Sequence, residues 1–240
     1  MILYGATETS SEEDGPQYRG HTTSKGSNTV TTSIPSQAQV GDYLVLVGSN
    51  GLDVSPSSSN GWYTKYSGQA LGGTYFWYTR IHIKICTESD IGASVDTSAS
   101  GFYHQNILFA FSNPNKSRIT QNTIDYPLNS YYSLYYAYGV YSSNQFEESL
   151  TTTSAQSSIS ITPTKSRSIK SLKLSVASIN PNSGSGNGSM TNAGSTVRVT
   201  DSYWYTSLIA GYEPDTVSLD AITANFSSSG SIAMQTVCLV

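Results

Sequence analysis

The chain has 240 residues, with 12 Lys+Arg, 16 Asp+Glu and a formal net charge of −4. Charged residues make up 12% and hydrophobic residues 37%, while the sequence holds 43 Ser, 26 Thr and 18 Tyr. So few basic residues argue against a nucleic-acid binder. The apolar fraction argues against a disordered acidic chain, and two distant Cys argue against a disulfide scaffold. Scarce Ala, Glu, Lys and Leu argue against a helical bundle. The expectation is a β-rich globular protein with a hydroxyl-rich surface.

A length of this order is common for a single β-sandwich domain. No run of 18 apolar residues is present, so no membrane-spanning helix is expected. The start, Met1-Ile2-Leu3-Tyr4-Gly5, lacks the basic flank and apolar length of a signal peptide. The sequence is therefore expected to be made in the cytoplasm and to leave, if at all, by a route such as lysis.

Residues 1–29 read as an N-terminal arm or an edge strand. Ser10-Ser11-Glu12-Glu13-Asp14-Gly15-Pro16 reads as a solvated acidic turn, because its spacing does not match a calcium loop. From Thr29 onward the texture is β. Val30–Ile34 alternates until Pro35, and Tyr43–Val47 is a continuous apolar run after Gly41-Asp42. Asn50-Gly51 and Asn60-Gly61 signal turns. Trp62–Tyr66, Thr74–Ile83 and Ile107–Phe111 read as further strands.

Residues 112–150 break the pattern. Tyr126, Tyr131, Tyr132, Tyr135, Tyr136, Tyr138 and Tyr141 crowd together with no period of 2 or 3.6. This stretch reads as an insertion or long loop carrying aromatic surface. After it, Ser158–Thr162, Leu172–Val176, Val197–Val199, Tyr203–Ile209, Ala221–Phe226 and Ile232–Val240 read as strands. The domain expectation is an arm over 1–29 and one sandwich over 30–240.

The two halves echo each other. Thr32-Ser33-Ile34-Pro35 matches Ser160-Ile161-Thr162-Pro163. Tyr75–Thr79 resembles Ser202–Thr206, and Ser98-Ala99-Ser100-Gly101 resembles Ser228-Ser229-Gly230. The spacing is too loose for a solenoid. It suits a sandwich in which each half contributes strands to both sheets.

Ile34-Pro35, Gly41-Asp42-Tyr43-Leu44-Val45-Leu46, Asn60-Gly61-Trp62 and Trp77-Tyr78-Thr79-Arg80 together resemble phage virion proteins with a jelly-roll-like domain. Ser171–Ser178 resembles a strand of their later half. The resemblance covers roughly residues 29–111 and 158–240, and the Tyr-rich stretch departs from it. It implies an antiparallel jelly-roll-like β-sandwich in a tail, fibre or capsid-surface component. It also implies many copies per particle or a homo-oligomer, with other virion proteins as partners.

Catalytic and metal motifs are not found. His21, His82 and His104 make no metal-ligand spacing, and His82 reads as a partly exposed strand residue. No nucleophile elbow or phosphate loop occurs. Glu147-Glu148 are adjacent, so on a strand they point to opposite faces. Cys86 and Cys238 read as reduced, buried thiols. No cofactor, metal or catalytic residue is expected.

Trp62, Trp77 and Trp204 read first as core or cross-strand packing. The seven tyrosines are the candidate binding residues, for a protein interface or a glycan. The expected function is a non-enzymatic structural protein of the virion. A host-surface glycan-binding module is the alternative, and a polysaccharide depolymerase is the third reading.

Overall fold

The computed structural model describes residues 15–50, 55–56, 61–72, 75–113, 146–151, 156–162, 172–181, 186–200, 206–213 and 220–239. Among them there is no α-helix; one 3₁₀ turn, Glu88–Asp90, is the sole helical element. The all-β sandwich expected from the sequence is the architecture observed, in two antiparallel sheets.

The first sheet holds β1 (Tyr18–Ser33), β2 (Tyr43–Asn50), β3 (Ser55–Pro56), β4 (Tyr63–Gly72), β5 (Tyr75–Ile85) and β6 (Ser94–Phe111). The second holds β7 (Phe146–Thr151), β8 (Gln156–Ile161), β9 (Leu172–Pro181), β10 (Gly188–Thr191), β11 (Ser195–Thr200), β12 (Ser207–Glu213) and β13 (Ile222–Leu239). The first sheet therefore comes wholly from the N-terminal half and the second wholly from the C-terminal half. The expected sharing of both sheets by each half is not observed. A jelly-roll-like exchange of strands between sheets is a finer expectation that this order does not carry.

The sheets are wired alike. The first runs β1-β6-β2-β5-β4, with β3 also on β6. The second runs β13-β9-β12-β11, with β7 and β8 in sequence along one side of β13 and β10 on its other side. Strands β6 and β13 are both 18 residues long and lie 128 positions apart at both ends (94 to 222, 111 to 239). The same step carries Tyr18 to Phe146 and Ser33 to Ile161, the first residue of β7 and the last of β8. It carries Ser33↔Ser94 onto Ile161↔Ile222, which pair in the second sheet. The sequence echo is thus an architectural duplication.

The halves pack face to face around one core. Tyr43, Val45, Val47, Ile81, Ile83, Ile107, Phe109 and Phe111 come from the first sheet. Leu172, Leu174, Val176, Val199, Leu208, Ala210 and Leu239 come from the second. Each fully buried side chain of this size contributes about 1.5–3 kcal/mol. Two smaller cores lie on the outer faces, one around Leu44, Leu46 and Leu108, the other around Ile179, Ile232 and Met234. The apolar run in β2 is continuous because its odd residues enter the central core and its even ones an outer core.

The outer cores exist because the long strands fold back. Register breaks fall between Ser27 and Asn28 in the first sheet, and between Asn225 and Gly230 in the second. Asn28 takes a left-handed φ of 66° there, which Asn tolerates better than most residues. Beyond the bend, Ser24 meets Thr32, and the Thr22 hydroxyl donates to the Ser33 carbonyl. The Ser/Gly tracts at 98–101 and 228–230 mark these bends rather than loops between strands. Residues 18–29, read as arm or edge strand, belong to edge strand β1. Of the expected insertion over 112–150, residues 114–145 lie outside the described residues, and Phe146–Thr151 pair with β13.

Candidate functional site

The expected tyrosine cluster, Tyr126 to Tyr141, lies outside the described residues, and so does Trp204. Trp77 sits on β5. Trp62 is half-buried against the first outer core. Cys86 is a free, buried thiol, whose pKa is pushed up to about 11 by burial and then by the nearby Asp90 and Asp42 charges. Cys238 pairs with Lys173 in the β13–β9 ladder. His82, expected to be partly exposed, is fully buried in β5. Its neighbours Ile81 and Ile83 face the central core, and His82 faces the outer core that the folded-back ribbon covers.

Comparing the equivalent halves singles out where their chemistry diverges. In the first sheet His104 pairs with Asn50, Asn106 with Gly48, Leu108 with Leu46, and Ala110 with Leu44. In the second sheet Ile232 pairs with Ile179, Met234 with Ala177, Thr236 with Ser175, and Cys238 with Lys173. Polar and apolar positions are exchanged. The first half has a polar network where the second has hydrocarbon. The second has Ser175–Thr236 and the buried Lys173 where the first has leucines.

The polar network is built by the fold-back of β1 and β6. His104 Nε2 and the Thr97 hydroxyl are 3.0 Å apart, and Asn106 Nδ2 donates to Thr97 Oγ1 at 2.7 Å and to Thr32 Oγ1 at 3.1 Å. Thr97 Oγ1 also lies 3.1 Å from the Val30 carbonyl. All four side chains are essentially without solvent contact. Such a network stabilises by about 1 kcal/mol per bond when satisfied and costs more when broken. It fixes the bend, and none of its members reaches the surface to meet a substrate.

Other polar groups tie the sheets together. Gln105 Nε2 on β6 donates to the Thr206 carbonyl at 3.1 Å, just before β12. Gln235 Nε2 on β13 donates to the Thr79 carbonyl on β5 at 2.8 Å. The two bonds join corresponding pairs of strands, since β6 corresponds to β13 and β5 to β12, but at positions two residues out of step: Gln105 corresponds to Ala233, and Gln235 to Ile107. A buried Thr79–Ser178 hydroxyl bond adds a third link between the sheets.

Three of the described carboxylates are held in ion pairs. Asp42 is fully buried and meets Arg19 Nε at 2.6 Å. Its Oδ2 also accepts from the Gln39 backbone at 2.9 Å. Asp90 meets Lys84 Nζ at 2.7 Å. Burial alone would raise the Asp90 pKa, but hydrogen bonds from Lys84 and Thr87 outweigh it and hold the carboxyl below its usual range. Glu213 meets the buried Lys173 at 2.8 Å. No group of three or more His, Cys, Asp or Glu placed to hold a metal occurs among the described residues.

One partly exposed cluster is aromatic. Tyr18 on β1 stacks on Tyr212 of β12, with centroids 4.5 Å apart and planes 14° from parallel. Both rings edge onto Phe111. The Tyr18 hydroxyl and His21 Nδ1 are 2.6 Å apart. Partial burial lowers the His21 pKa, and burial followed by Tyr212 raises that of Tyr18. Tyr18 remains 36% exposed. Sequence reading missed this pair because Tyr18 and Tyr212 lie in opposite halves. The one available signal was Tyr18 beside an alternating polar stretch.

No family model, curated protein or solved structure matches the chain.

Proposed function

We propose that the chain is a non-enzymatic structural protein of a bacteriophage particle, present in many copies and held by protein–protein contacts. The observation that carries this reading is the distribution of polar chemistry. The internal hydrogen bonds join the two sheets or pin the folded ribbons, whereas the exposed rim presents an edge strand and a stacked tyrosine pair. Rigid aromatic surface of that kind suits recognition between macromolecules. Retail of charge is low, which suits burial in a crowded assembly, where each buried charge needs a partner. The resemblance to virion β-sandwich proteins gives the particle context.

Mass spectrometry of gradient-purified particles from the producing lysate tests the reading. Tryptic peptides of the chain are expected at a fixed molar ratio to the major capsid protein. Their confinement to the soluble fraction overturns it.

The Tyr18–Tyr212 pair also supports a second reading, as a glycan-binding module, because sugar rings stack on exposed aromatic faces. A depolymerase needs two carboxylates across a cleft, and Asp42, Asp90 and Glu213 are instead committed to ion pairs.

A further inference from the structure

The stacked tyrosines join the two halves of the chain. Tyr18 opens β1 in the first sheet, and Tyr212 lies near the end of β12 in the second. Their rings are 4.5 Å apart at the centroids and 14° from parallel, so one phenol lies directly against the other. Phe109 and Phe111, both fully buried, pack edge-on to Tyr212 and line its inner side with hydrocarbon. Tyr18, 36% exposed, turns the outer side of the pair to solvent. Two oxidisable rings therefore touch each other, with one open to a reagent and the other backed by rings that are not phenols.

A proton acceptor stands beside the open one. A phenol gives up an electron readily only when its hydroxyl proton leaves as well, because the phenol radical cation is a strong acid. His21 Nδ1 lies 2.6 Å from the Tyr18 hydroxyl. A neutral imidazole has one ring nitrogen free of a proton and able to accept one. Partial burial lowers the His21 pKa and so favours the neutral ring. Burial, then the charge and hydrogen bond of Tyr212, raise the Tyr18 pKa and keep that phenol protonated. Electron loss from Tyr18 is thus coupled to proton loss, and the base is in place.

We propose that Tyr18 and Tyr212 form an oxidative cross-linking site, where hydrogen peroxide acting through a haem peroxidase joins the two rings as a dityrosine. Each phenol gives one electron and its hydroxyl proton, and the Tyr18 proton passes to His21 Nδ1. The two radicals couple through ring carbons ortho to the oxygens, forming one carbon–carbon bond. The hydrogens on those two carbons shift to the oxygens and restore both phenols. The peroxide takes up the two electrons and two protons and leaves as two waters, so the chain loses two hydrogens. The bond ties the start of β1 to β12, sheet to sheet, and closes a loop over most of the chain. This chemistry is independent of the virion and glycan readings.

The test treats the purified full chain, kept dilute, with a haem peroxidase and hydrogen peroxide, followed by tryptic mass spectrometry. The expected product is a monomer with dityrosine fluorescence and a linked peptide pair, two hydrogens lighter than its parts, whose fragments place the bond between Tyr18 and Tyr212. Tyr18→Phe and Tyr212→Phe are each expected to abolish that pair while keeping the wild-type circular dichroism. His21→Gln is expected to slow its formation about tenfold, as loss of a positioned base does. The cross-linked chain is expected to melt about ten degrees higher, because the bond restricts the unfolded state. Dityrosine confined to other tyrosines, or to bonds between copies, overturns the site. An unchanged rate in His21→Gln overturns the role of His21, and an unshifted Tm overturns the tie between the sheets.

Discussion

His104 and Ile232 occupy the same place in the two halves, 128 positions apart on β6 and β13, yet one joins a buried hydrogen-bond network and the other a hydrocarbon core. The fold tolerates either chemistry there, provided each is complete. Removing one member of the polar network is then costlier than the residue's size suggests.

Asn106 is the member to test. Its amide serves both Thr97 and Thr32. Asn106→Ala is expected to destabilise the chain by about 1–3 kcal/mol, the cost of leaving buried hydroxyls short of a partner and opening a small void. Thermal denaturation would reveal it. A shift in Tm of less than about one degree would show that the bend does not depend on this network.

The Arg19–Asp42 pair ties the start of β1 to the turn before β2. Asp42 has no solvent exposure, whereas the Arg19 side chain is 26% exposed. Arg19→Ala strands a buried charge and is expected to cost about 3 kcal/mol. The double substitution Arg19→Ala/Asp42→Asn is expected to recover part of that loss in urea denaturation. Simple additivity of the two single changes would contradict a direct coupling.

Two groups contribute to the acid limb of stability. The folded-state pKa of Asp90 lies below its unfolded value of about 3.9. Its contribution is therefore full above that pH and is lost as pH falls through the folded value. His21 is also lowered, by burial, from an ordinary value near 6.5. Below that pH the unfolded state takes up the proton first, so the stability linked to neutral His21 fades as pH falls. Asp90→Asn is expected to flatten the Tm–pH curve below about pH 4, and His21→Gln to flatten it just below about pH 6.5. Unchanged slopes in both variants would refute these assignments.

Cys86 is expected to resist thiol reagents in the native state. Burial raises its pKa to about 11, so thiolate is scarce near neutral pH. In a Cys238→Ser background, modification is expected to be slow until denaturant exposes the site, then to proceed to one thiol per chain. Rapid labelling of the native chain would place Cys86 at the surface.

Much of the fold was legible because its signals are local. The run Tyr43–Val47 and its counterpart Leu172–Val176 announced central strands, and the paired Ser/Gly tracts hinted at duplication. The same tracts misled on strand ends. Ser98–Gly101 and Ser228–Gly230 fall outside the expected strands Ile107–Phe111, Ala221–Phe226 and Ile232–Val240, but each is a bend inside an 18-residue strand. Propensity sees weak strand formers there; tertiary pairing across the bend overrides it. The Tyr18–Tyr212 stack was illegible for another reason, since it joins residues from opposite halves and leaves no periodicity.

By itself the sequence determined that this protein is all-β, where its main strands run, and that its halves echo each other. Those features follow from apolar runs, alternation and turn residues, which act over a few neighbours. Only the tertiary structure decided that each half closes its own sheet, and that the polar core of one half answers the apolar core of the other. Those outcomes depend on strand register, where a slip of one residue sends every side chain to the opposite face. They depend also on the fold-back of two long strands, which brings Thr97 back to Asn106 and carries Thr32 to it across 74 positions, more sequence than any local pattern spans.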